Sequence, residues 1–201
     1  DLHAMFADPQ VRAIIATIGG DHSCQLLPLL DWDLIRANPR ILLGFSDITV
    51  LNVAIWTMTG LTTFNGPTLM TDWAEYPHMP EYSEAYALRA ITSPEPVGVI
   101  EASPWWTDEF LNWETKADLT RPRQQHPSSG WTWLRSGTAE GRLIGGCLES
   151  LQHLRGTRYW PSWDGAILFL EMSEERPSPE KIDAILMDYE NMGVLAQISG
   201  L

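Results

Sequence analysis

"ILLGFSDITVLNVAIW", residues 41–56, changes its periodicity midway. "RILLGF" (40–45) is a short apolar run of the kind a parallel strand buries on both faces. "DITVLNVAIWTMTG" (47–60) carries apolar side chains at helical spacing and stops at Gly60. Between the two stands Ser46. A serine entering a helix is a preferred N-cap, worth about 1 kcal/mol. The reinforcing Glu or Gln three residues on is absent, since Thr49 stands there, so no capping box forms. A serine on a sharp strand-to-helix turn is also what a nucleophile elbow presents, with its hydroxyl in the positive field of a helix N-terminus. Gly44 suits such a turn, whereas Ile48 occupies the place of the second glycine in G-x-S-x-G. Spacing alone leaves both readings open.

The same rhythm extends outward. "VRAIIATIGG" (11–20) predicts a buried strand closed by glycines, and "SCQLLPLLDWDLIRANP" (23–39) a helix ending at Asn38-Pro39. "LTTFNGP" (61–67) predicts a third strand, "MPEYSEAYALRAIT" (79–92) a helix and "PVGVIEAS" (96–103) a fourth strand. Alternation at this spacing indicates βαβ units and a parallel sheet with right-handed crossovers. From 104 to 137 the period dissolves into Pro, Trp and charge, as in functional connections or linkers. Beyond it, "GRLIGGCLESLQHLRGT" (141–157) reads as a turn and a helix, and "GAILFLEMSEE" (165–175) as a strand running into an acidic loop. "SPEKIDAILMDYENMG" (178–193) reads as a helix with Ser178 as N-cap, Pro179 at its first position and Gly193 past its end. The expected organisation is an α/β domain over 1–103, a Trp-rich segment over 104–137 and a second domain from 138 to 201. The chain opens without methionine inside an apparent helix, "DLHAMFAD", and stops in the apolar run "VLAQISGL". It is therefore expected to be an internal piece of a longer protein.

Composition narrows the function. With 201 residues, 44% of them hydrophobic, the chain can bury a sizeable core. Its 26 acidic residues against 13 basic ones leave a net charge of -13, which repels a polyphosphate backbone and disfavours nucleic acid as a partner. No apolar run is long enough for a membrane span. Cys24 and Cys147 stand alone in unrelated contexts, which fits a reducing cytoplasm and offers neither a disulfide framework nor a zinc site. No His/Asp/Glu cluster has metal-ligand spacing, so neither metal nor cofactor is expected. Ten tryptophans exceed what such a core needs. Trp105, Trp106, Trp113, Trp131 and Trp133 fall in polar, irregular stretches, where indoles pack a partner domain or stack on a ligand.

In a parallel α/β sheet, ligands bind beyond the carboxyl ends of the strands. Four features stand at such ends: Gly19-Gly20, Ser46, Asn65-Gly66-Pro67 and Glu171. Gly20 either turns the chain or exposes its N–H toward the crevice of Ser46. With the N–H of Asp47 it would then form an oxyanion hole, one donor of which is worth about 2.7–4 kcal/mol in the transition state. Glu171 is either a solvated carboxylate or the group that orients an imidazole. Among the histidines, His22 is nearest the crevice, as base or as substrate contact, and none is paired with Glu171 by position.

These residues, taken in order, resemble the LD-carboxypeptidase and microcin-immunity family of serine peptidases. The markers are the strand-Gly-Gly loop, "LLPLLDWDLIRANP", "GFSDIT", "TFNGP", "GRLIGGCLESL" and "GAILFLE", which together span almost the whole chain. The resemblance implies a flavodoxin-like first domain, similar to class I glutamine amidotransferases, followed by a smaller β-rich domain. It implies a Ser-Glu-His triad in which Ser46 and Glu171 are two members and the histidine lies beyond Leu201. It places the oxyanion donors on Gly20 and Asp47. Asn65 departs from the family pattern, since many relatives carry histidine there. "WWTDEFLNWE" is similar to the insertion of the immunity branch, in which Trp113 would stack on a nucleobase, an interaction of about 1–3 kcal/mol. The implied activity is hydrolysis of an amide joining a peptide or amino acid to a modified nucleotide. The alternative within the family is the removal of D-alanine from a murein tetrapeptide. A rival of another class is a non-catalytic protein that binds a ligand in the same crevice. Dimerisation is an expectation from the family alone.

Overall fold

The computed structural model describes residues 1–201 as a mixed α/β chain of two compact units, one built from 1–65 with 137–201 and the other from 66–136. The first unit opens with α1 (Leu2–Ala7), β1 (Ala13–Ile15), a 3₁₀ turn (Ser23–Leu29), α2 (Trp32–Ala37) and β2 (Ile41–Leu43). A second 3₁₀ turn (Ser46–Ile48) then leads directly into α3 (Thr49–Thr59). The helix expected over 23–39 is thus split: Pro28 lies within the 3₁₀ turn, and Asp31 starts α2 afresh by accepting from the N–H groups of Asp33 and Leu34.

β1 and β2 pair in parallel, Ala13 with Ile41 through Ile15 with Leu43. The third predicted strand shrinks to a parallel bridge between Leu43 and Phe64. Phe64 donates its N–H to the Leu42 carbonyl and accepts from the N–H of Gly44. Helix α3 is inaccessible on every side over Thr49–Ile55, which explains why its apolar residues form no single stripe. Val50, Leu51, Val53, Ala54 and Ile55 join Phe6, Ile14, Leu27, Ile35 and Leu42 in one core. Gly60 ends the helix in the left-handed region at φ 77°.

In the second unit, α4 (Glu81–Thr92) is the element expected over 79–92, and β3 (Trp105–Trp106) pairs antiparallel with β4 (His126–Pro127). The strand expected over 96–103 does not form. Pro94 and Pro96 remove donors, Gly98 takes φ 78°, and Val99 and Ile100 stay exposed. Side chains of α4 hold this segment instead. The Tyr82 hydroxyl donates to the Glu101 carbonyl, the Glu101 N–H to the Tyr86 hydroxyl and Arg89 to the Val97 carbonyl. Arg121 grips Glu109 through both carboxylate oxygens, at 2.6 and 3.0 Å, and the Gln124 N–H adds a third bond at 2.6 Å. These bonds hold the Glu109 carboxyl at about 2.

The chain returns to the first unit with β5 (Leu143–Cys147), α5 (Leu148–Leu151) and β6 (Ile167–Glu171). It ends in α6 (Pro179–Asn191) and α7 (Val194–Gln197). The stretch read as turn plus helix over 141–157 is therefore a strand first. β5 pairs in parallel with β6, and Cys147 lies opposite Glu171. Helix α6 follows its sequence signals: the Ser178 side chain accepts from the Lys181 N–H, and Gly193 takes φ 75°. A second core gathers Ile144, Leu148, Trp163, Leu168, Ile185 and Tyr189, with Trp56 of α3 packed against it. No helix is long and apolar enough to cross a membrane.

Candidate active site

The turn after β2 is set by sterics and by one amide side chain. A Cβ on Gly44 would stand 2.9 Å from the Ala16 Cβ and 3.0 Å from Ile48, so only glycine lets the chain pass between them. Asn52, one turn into α3, donates to the carbonyls of Gly44 at 2.9 Å and Phe64 at 3.2 Å, tying both strand ends to the helix. Ser46 follows with φ 57°, a left-handed conformation that costs a non-glycine residue about 1–2 kcal/mol. Its side chain makes no capping bond, which settles the choice of local role against the N-cap.

Ser46 faces two neighbours that are distant in sequence. Its N–H donates to Oε1 of Glu171 at 3.3 Å, across 125 positions. A Cβ on Gly19 would lie 3.0 Å from both Cβ and Oγ of Ser46 and 3.7 Å from the Asp47 nitrogen. The first glycine loop therefore packs directly on the serine. Gly20 takes φ 149°, which favours glycine. The Asp47 N–H precedes the first bond of the 3₁₀ turn, from the Ile48 N–H to the Phe45 carbonyl, and so belongs to the unused donors of a helix start.

The Asp47 side chain has a role that no local pattern signalled. It is 3% exposed, and its Oδ2 accepts from the Ser23 hydroxyl at 2.7 Å, the Ser23 N–H at 3.0 Å and the His22 N–H at 3.1 Å. One buried carboxylate thus fastens residues 22 and 23, and with them the glycine loop, to the serine turn. The His22 ring itself belongs to an exposed residue, and Asn65 is exposed past the Phe64 bridge. Trp113 belongs to the second unit, where its ring lies 5.9 Å from that of Phe110.

Around Glu171 a second carboxylate plays a similar part. Glu149 accepts from the Ser173 hydroxyl at 2.7 Å and N–H at 3.3 Å, holding the chain just past Glu171. Burial pushes its carboxyl up, and the hydrogen bonds from Ser173, its own backbone N–H and the Cys147 thiol together outweigh that and lower it. Cys147, beside Glu171, is 2% exposed, and burial pushes its thiol up. It stays protonated and is no rival nucleophile.

A strained serine between strand and helix, a glycine loop against it and a strand-end carboxylate within hydrogen-bond reach define a site suited to acyl transfer. Comparison with known proteins gives the family. The LD-carboxypeptidase N-terminal domain matches residues 1–66 and the LD-carboxypeptidase C-terminal domain residues 140–201. The chain belongs to the LD-carboxypeptidase family, in its branch that resembles the microcin self-immunity protein MccF. It is 42% identical to the putative carboxypeptidase YocD of Bacillus subtilis, over 85% of this chain and 50% of that protein. It is 35% identical to the microcin C7 self-immunity protein MccF of Escherichia coli, over 87% of this chain and 51% of that one. MccF has been solved in complex with aspartyl sulfamoyl adenosine, and that structure matches with a TM-score of 0.87 at 32% identity, over 98% of this chain and 58% of the other. An MccF-like protein of Bacillus anthracis matches with a TM-score of 0.88 at 36% identity, over the same shares. The chain spans about half the length of the curated relatives it matches.

Proposed function

We propose that the whole protein is a serine hydrolase that cleaves the amide of an aminoacyl- or peptidyl-nucleotide. The observation that carries this reading is the left-handed Ser46 with its N–H 3.3 Å from the Glu171 carboxylate. The Ser46 Oγ attacks the carbonyl carbon while a histidine from the remainder of the protein takes the hydroxyl proton. Glu171 orients that imidazole and stabilises its cation. The N–H groups of Gly20 and Asp47 receive the oxyanion. The histidine then gives its proton to the leaving nitrogen, the amide bond breaks, and water releases the acyl group from Ser46 by the reverse path.

The substrate class follows from likeness to MccF, whose structure holds an aminoacyl sulfamoyl adenosine. Trp113 is the residue we assign to stacking on the base, and Asn65 and His22 to polar contacts with the substrate. We also propose a cytoplasmic homodimer. The organisation we propose is a flavodoxin-like domain over 1–103, a specificity segment over 104–137 and a second domain beginning at 138.

The test is to assay the whole protein with aspartyl sulfamoyl adenosine and a murein tetrapeptide side by side, as wild type and as Ser46→Ala. Turnover of the nucleotide that disappears in Ser46→Ala, with the fold unchanged by circular dichroism, supports the proposal. Preference for the tetrapeptide overturns the substrate class, and turnover that survives in Ser46→Ala overturns the mechanism.

A further inference from the structure

Ser46 and Glu171 come from the two chain segments of the first unit, 1–65 and 137–201, and meet across 125 positions. Thr49 lies one turn beyond Ser46, at the start of α3, and is 0% exposed. Its hydroxyl oxygen accepts from the N–H of Cys147 at 2.9 Å, across 98 positions. Cys147 is the residue of β5 paired with Glu171 in β6. The contacts close a ring: Ser46 to Thr49 along the turn, Thr49 to Cys147 by that bond, Cys147 to Glu171 by the strand register, and Glu171 back to the Ser46 N–H.

The neighbouring glycine shows how closely this approach is fitted. Gly146 takes φ 136°, and a Cβ there would stand 2.4 Å from Oγ1 and 2.5 Å from Cγ2 of Thr49. Strand β5 thus presses its bare backbone on the threonine, which leaves the threonine hydroxyl as the group that meets the Cys147 N–H. If that oxygen is lost, the buried N–H has no acceptor there, and relief comes from moving β5 away from α3. β6 moves with β5 because the two are paired, and Glu171 moves with β6.

We propose that Thr49 is a positioning residue for the hydrolytic site: its hydroxyl fixes the strand that bears Glu171 at the correct distance from the turn that bears Ser46. This rests on the function proposed above. Thr49 touches neither the substrate nor the reacting atoms, so its removal acts on the geometry of the triad and leaves substrate affinity in place. A displacement of about 1 Å between reacting groups can cost about 100-fold in rate.

The experiment compares Thr49→Ala with Thr49→Ser in the whole protein, against aspartyl sulfamoyl adenosine, with Ser46→Ala as reference. Both variants lose the methyl, and only alanine loses the oxygen. The expected result is a kcat at least about 10-fold lower in Thr49→Ala than in Thr49→Ser, with KM changed less than about 2-fold and kcat of Thr49→Ser near wild type. Equal kcat in folded Ala and Ser variants overturns the proposal, as does a loss confined to KM. Where Thr49→Ala yields no folded protein, Thr49→Ser decides: near-wild-type kcat supports the oxygen as the positioning atom, and a folded serine variant slowed about 10-fold overturns it. Failure of the functional proposal itself is read separately, as Ser46→Ala turnover equal to wild type.

Discussion

The Ser23 hydroxyl donates to the Asp47 carboxylate at 2.7 Å, in a site where Asp47 is 3% exposed and also receives two backbone N–H groups. Three donors converge on one oxygen, so this carboxylate fixes the loop that carries Gly19 and Gly20. Asp47→Asn keeps an oxygen but loses the charge, and its amide donors gain no acceptor. We expect the whole protein to lose about 2–3 kcal/mol of stability, read by urea denaturation, and Ser23→Ala to lose about 1 kcal/mol. Hydrolysis should fall in Asp47→Asn through kcat.

Gly19→Ala separates function from folding. The residue is not in the left-handed region, so alanine suits its backbone, but the new methyl would meet the Cβ and Oγ of Ser46 at 3.0 Å. The expected outcome is a drop in kcat of about 10-fold or more, while stability falls by no more than about 1–3 kcal/mol and the protein stays folded. Steady-state kinetics and thermal unfolding of the same preparation check it.

Ser46→Gly should be inactive and more stable. Glycine adopts φ 57° without the Cβ penalty of about 1–2 kcal/mol. Relief of part of that strain, seen as a raised denaturation midpoint relative to both wild type and Ser46→Ala, would show that the turn stores strain where the hydroxyl is displayed.

Acid should act partly through Glu149. Its folded carboxyl is lowered from its ordinary value, with burial opposing and the hydrogen bonds from Ser173, its own backbone and Cys147 together prevailing. A depressed carboxyl contributes its stability above the unfolded value and loses it as pH falls through the folded one. Unfolding free energies of wild type and Glu149→Gln, measured from about pH 6 down to about pH 3, should therefore converge on acidification. A constant gap would place the pH dependence elsewhere.

What the sequence made legible was local. The strand-turn-helix around Ser46, the Ser178 cap and the helix stop at Gly193 each depend on neighbours within a few residues, and each formed as expected. Apolar run length misled at 96–103, because Val99 and Ile100 follow two donor-free prolines, Pro94 and Pro96, and the left-handed Gly98, and never enter a sheet. It misled again at 143–147, where Gly145 and Gly146 read as a turn. Both are buried there, and both are glycine because a Cβ would strike Phe169 or Thr49. The part of the site that no periodicity carries is long-range: Asp47 to Ser23, Thr49 to Cys147 and Ser46 to Glu171 join residues 24, 98 and 125 positions apart.

Helix α3 is covered all round over Thr49–Ile55 and borders both cores. Its amides are therefore expected to exchange with deuterated solvent only near the limit of global opening. The turn that carries Ser46 runs directly into this covered segment, so the proposed nucleophile would sit at the edge of a slow-exchanging anchor, and its chemistry would not wait on local melting.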